Sequence, residues 1–139
     1  MRKGRFYGER VNAAVGYAAD ERGWGVAYAR LADGDRLLRV AFPVRRVDGS
    51  EREVGYAALA AVAHALRERQ AGAVCLTIAD RDLVDDVNGR RDLPEAVVLP
   101  YVRLRCALNA FAAVELRTGD QAGDLTQRAR AEVALHVAA

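Results

Sequence analysis

Lysine is almost absent from this chain: Lys3 stands alone against 20 arginines. Such a skew matches GC-rich coding, as do the abundant alanine and valine, and the guanidinium fork is also well suited to phosphate contact. Cysteine is scarce too. Cys75 and Cys106 lie far apart in the sequence and read as small core residues rather than a disulfide or a metal pair, in a reducing, cytoplasmic setting. No apolar run approaches the ~20 residues of a membrane span. The N-terminal stretch MRKGRFYGERVN is basic and lacks the apolar segment of a signal peptide, so no export is expected. The two histidines, His64 and His136, flank the apolar faces of their helices and read as core or rim residues. No G-x-S-x-G, Walker loop or dinucleotide fingerprint occurs.

What is present is an ordinary globular balance, 52% hydrophobic and 29% charged over 139 residues. That length suits one domain spanning residues 1–139, able to bury roughly two thirds of its unfolded surface. A net charge of +2 demands no polyanionic partner. Val11–Ala18 and Trp24–Leu31 read as strands joined by the polar turn Asp20-Glu21-Arg22-Gly23. Asp33-Gly34 is a hairpin signal before a third strand over Arg36–Arg45, where Pro43 marks an edge or bulge.

Ser50-Glu51-Arg52-Glu53 has the capping-box form, and Val54, Ala58, Ala61, Val62, Ala65 and Leu66 share one helical face behind it. The strand Ala73–Ile78 follows and should lie parallel to its partner, because a helix connects them. It ends at Asp80, where a buried strand fixes a carboxylate and leaves its tip in a cleft. A short helix to about Asn88, a helix around Tyr101–Phe111, a strand at Ala112–Leu116 and a helix from the capping pattern Asp124-Leu125-Thr126-Gln127 complete the chain.

Three antiparallel strands, a helix, a strand, helices, a short strand and a terminal helix resemble the ribonuclease-H-like α/β fold, a five-stranded mixed sheet with flanking helices. Local wording agrees. Gly23-Trp24-Gly25-Val26 resembles the opening of that family's second strand, the segment from Ala57 to Leu66 its first helix, and LTIADRDLVDDVNG its strand-four segment. The resemblance implies a site in which four carboxylates position two divalent metal ions to hydrolyse a phosphodiester. Laid on this sequence, the first carboxylate falls on Gly16 or a neighbour, the second on Ala58, the third on Asp80, and the fourth on Arg128 or Arg130.

One matched carboxylate beside a guanidinium does not offset two divalent cations. The expectation is therefore a domain that has lost hydrolysis. It would bind nucleic-acid backbone through Arg81, Arg90, Arg91, Arg128 and Arg130, or else a protein partner or its own copy in a dimer, with no metal or other cofactor. The alternative is an active, magnesium- or manganese-dependent endonuclease using Asp80 with displaced carboxylates such as Asp20, Glu21 or Asp82. Asp82, Asp85 and Asp86 fall at i, i+3, i+4 and read as a metal cluster or as solvated acids near a helix N-terminus. Trp24 and Tyr28 point the same way along one strand and read as shared core packing rather than a base-stacking platform.

Overall fold

The computed structural model describes residues 6–32, 36–45, 50–90 and 92–138. Strands β1 (Arg10–Ala19), β2 (Trp24–Leu31) and β3 (Leu37–Pro43) form an antiparallel meander. Helix α1 (Glu51–Glu68) then crosses to β4 (Ala73–Ile78), which pairs parallel to β1, as a helical crossover requires. After α2 (Arg81–Val87) and α3 (Val98–Leu108), β5 (Ala113–Thr118) adds parallel to β4, and α4 (Gly123–Ala138) ends the fold. The sheet order is β3-β2-β1-β4-β5, so β3 with its terminal Pro43 lies at an edge. The Asp33-Gly34 turn lies outside the described residues. Among the described residues, no helix is long and apolar enough to cross a membrane.

The start of α1 is set by its cap. Ser50 Oγ accepts the Glu53 N–H while the Glu53 carboxylate accepts the Ser50 N–H, which satisfies two of the helix's free donors. Ala58, Leu59, Val62 and Leu66 are then fully buried against the sheet, together with Val15, Leu76 and Ile78. Helices α1, α2 and α3 contribute to this main core, and α4 closes a smaller one on the other face through Leu125, Ala129 and Val133. Trp24 and Tyr28 pack into that smaller core, as their shared side of β2 predicts.

Three expectations change. Cys75 is buried but Cys106 is exposed, because α3 turns Leu104, Ala107 and Leu108 inward and Cys106 falls off that face. Helix α3 starts at Val98, three residues before Tyr101, since Pro100 sits in the first turn where a missing N–H costs little. Helix α4 begins at Gly123, so Asp124 lies inside the first turn and pairs with Arg30 instead of capping from outside.

Candidate functional site

Asp80 stands where β4 hands over to α2. Its carboxylate accepts the Leu83 N–H at 3.1 Å and is the N-cap of that helix. Parallel pairing of Ala14 with Thr77 carries the second half of β1 alongside this exit. Strand alternation then decides what meets Asp80. Tyr17 points to the α1 face, and Gly16 points the other way.

Gly16 lies under α4. A Cβ there would stand 2.4 Å from the Thr126 backbone nitrogen and 2.7 Å from the Leu125 carbonyl carbon, so the residue has room only for hydrogen. No carboxylate at position 16 reaches Asp80's side of the sheet. On that side Tyr17 fills the space. Its hydroxyl lies 2.6 Å from where a Cβ on Gly55 would be, with Leu83 Cδ1 at 2.7 Å from the same point. The α1 residue that meets Tyr17 is thus Gly55, one turn before Ala58, which is fully buried. Burial pushes the Tyr17 phenol well above its ordinary pKa, and the charges of Asp80 and then Glu51 push it further, so it stays neutral. Tyr17 and Gly55 went unread in the sequence. An isolated glycine inside a capped helix was the available signal.

The neighbouring acids are committed elsewhere. Arg52 bridges Asp82 at 3.1 Å and the buried Asp86 at 3.3 Å, and the Tyr56 hydroxyl donates to Asp86 at 3.0 Å. Asp85 pairs with Arg90 at 3.4 Å. Asp20 closes the β1–β2 turn by accepting the N–H groups of Arg22 at 2.8 Å and Trp24 at 3.0 Å. The Trp24 N–H leads in holding its carboxyl below the usual range, with further help from backbone N–H groups of the turn and from His136. Glu21 is exposed. Among the described residues, no group of three or more histidines, cysteines, aspartates and glutamates is placed to hold a metal ion. A tyrosine, a glycine and a helix-capping aspartate do not fit a pair of divalent cations, which need several oxygen ligands at short range.

The arginines separate into two places. Arg81 is exposed and lines a polar groove of about 1040 Å3 between α2 and β5, together with Arg90 and Arg117. Arg91 lies outside the described residues. Arg128 and Arg130 are on α4, across the sheet: Arg128 stacks over the Tyr28 ring at 4.7 Å, and Arg130 is exposed. Arg128 also helps hold Glu132 down. That carboxyl sits at about 2, chiefly through the Arg39 guanidinium and then the Tyr28 hydroxyl, which donates to it. The sheet therefore keeps Arg128 and Arg130 apart from Arg81 and Arg90.

Order of strands, parallel addition of β4 and β5, and a helix on each face define a ribonuclease-H-like fold. Ribonuclease H1 of Halobacterium salinarum superposes with a TM-score of 0.68 at 20% identity, over 88% of this chain and 92% of that one. The N-terminal RNase H domain of a Mycobacterium tuberculosis protein gives 0.69 at 14% identity, over 93% of this chain and 99% of that one. No family model and no curated protein matches the sequence.

Proposed function

We propose that this chain is a ribonuclease-H-like domain that holds a nucleic-acid backbone without cutting it. One observation carries the reading: Tyr17 is seated against Gly55 and Leu83, near enough for the Asp80 charge to act on its hydroxyl, while Asp80 itself caps α2. Hydrolysis by two metal ions needs both the attacking and the leaving oxygen clamped by cations, and this site supplies too few carboxylates to bind them. Both structural relatives named above are ribonucleases H. Arginine is the cation this chain supplies in quantity, and Arg81 and Arg130 are exposed without an ion pair among the described residues.

The rival reading, an active endonuclease, has one observation on its side: Glu51 and Asp80 both act electrostatically on the Tyr17 hydroxyl. The experiment incubates a labelled RNA–DNA hybrid with the protein in magnesium or manganese and follows retention and cleavage at several salt concentrations. The expected result is retention that weakens steeply with salt, with a log–log slope of roughly −0.9 per duplex-DNA phosphate neutralised, and no product. Cleavage that disappears in Asp80→Asn establishes the endonuclease instead. No retention of hybrid, duplex or single strands at low salt removes nucleic acid as the partner.

A further inference from the structure

We infer that the cleft between β3, α1 and α3 receives an acidic segment of a partner protein, anchored by one bulky apolar side chain. The cleft measures about 240 Å3 and is walled by Phe42 and Val44 at the end of β3, Ala57, Ala60 and Ala61 of α1, and Pro100 of α3. Its apolar walls exist because α1 presents alanines toward the sheet edge, where larger side chains would have filled the space. Small-molecule pockets run to roughly 300–1,000 Å3, so this one suits a side chain rather than a whole ligand.

The cleft does not end at its own rim. A second groove of about 710 Å3 shares Arg45, Pro100 and Arg103 with it and adds Leu99. Leu99 lines this groove, and Val98, Leu99 and Val102 stand 44%, 58% and 47% exposed, a concentration of large apolar side chains in five positions of one helix. Isolated exposed apolar residues need no explanation, but a contiguous set next to a cleft marks an interaction surface.

Charge selects the occupant. Arg45 and Arg103 flank both grooves and, like Arg81 and Arg130 elsewhere, form no ion pair among the described residues. Of the two carboxylates present, Glu53 is buried and held by the Ser50 cap, and Glu95 lies on the outer groove. His64 borders the cleft. Unpaired guanidinium groups over an apolar floor complement a carboxylate-rich segment with an apolar anchor. A nucleic-acid backbone would satisfy the cations but leave the floor without an apolar partner. Strands β1 and β2 separate this cleft from β4 and Asp80, so the inference stands whether or not the nucleic-acid reading does.

The test is fluorescence anisotropy of the full chain with a labelled octapeptide of alternating glutamate and leucine carrying a central phenylalanine. Two controls replace its glutamates by lysine, or its apolar residues by alanine. The expected result is saturable binding of the first peptide, weakened about tenfold or more, ~1.4 kcal/mol, in both controls and in Arg103→Glu and Ala60→Trp. Arg45→Glu, an exposed site, replaces Ala60→Trp if that variant does not fold. Equal binding of the lysine peptide, indifference to Arg103→Glu, or no binding overturns the inference. So does displacement of the peptide by an oligonucleotide, or self-association of the chain that Arg103→Glu abolishes, which would make a second copy the occupant.

Discussion

The two faces of the sheet are held by different physics. On the α1 face a continuous apolar cluster runs from Phe6 to Leu116, and Tyr56, Leu59, Leu66, Leu76 and Ile78 within it are fully buried. On the α4 face seven of the described residues form the buried cluster, and polar latches surround it. Arg39 and the Tyr28 hydroxyl hold Glu132, Arg30 holds Asp124, and the His136 ring stacks on Trp24 at 3.8 Å and 9°. Packing therefore governs one face, and side-chain pairing governs the attachment of the terminal helix. The candidate site belongs to the packed face, which is why a glycine and a tyrosine, rather than charges, decide its shape.

The sharpest way to break this comparison is to open a cavity on the packed face. Leu59→Ala should cost about 2–5 kcal/mol in denaturant unfolding, since a fully buried leucine loses both transfer energy and contacts. A cost no larger than that of an exposed substitution contradicts the contrast. The two close-packed glycines give a finer test. Gly16→Ala drives a methyl into the α4 backbone and should destabilise by roughly 1–3 kcal/mol. Gly55→Ala meets only the Tyr17 tip and a leucine methyl, which can yield, and it gains roughly 1 kcal/mol of helix propensity, so its net effect should be small.

On the latched face the signature is pH dependence. Glu132 titrates at about 2 in the folded chain, below the ordinary ~4.3 of a glutamate, so its contribution is complete above that ordinary value and lost as pH falls toward 2. Solvent screens this half-exposed pair, and Glu132→Gln should cost about 1 kcal/mol at pH 7 and flatten the acid limb of the stability curve. A wild-type acid limb unchanged by that substitution removes Glu132 as its source. The smallest effect belongs to Asp124→Ala, whose exposed pair with Arg30 should leave the melting temperature unchanged. A clear drop would mean that α4 depends on that pair after all.

How much of this was legible in the sequence follows the same division. Strands β2 and β4 match their predicted limits because turn residues bound them on both sides, and Ser50 with Glu53 marks the start of α1. The site was harder to read. A shift of one residue in β1 exchanges Gly16 for Tyr17 and moves the side chain to the opposite face of the sheet. In α1, Gly55 and Ala58 lie one turn apart on similar small-residue faces, and only the neighbouring strand tells which of them meets Tyr17. The arginines read as one group because sequence order does not show that a sheet stands between α2 and α4. Cys106 was misplaced for a related reason: α3 carries apolar residues on its outer side as well, so its pattern does not single out the buried one.

The central claim, that Tyr17 and Gly55 leave no place for divalent cations beside Asp80, is tested most directly by titrating manganese into the isotopically labelled chain and following amide signals by paramagnetic broadening. The account predicts weak broadening that does not saturate and is spread over exposed carboxylates. Saturable broadening focused on Tyr17, Gly55 and Asp80, and lost in Asp80→Asn, would contradict it.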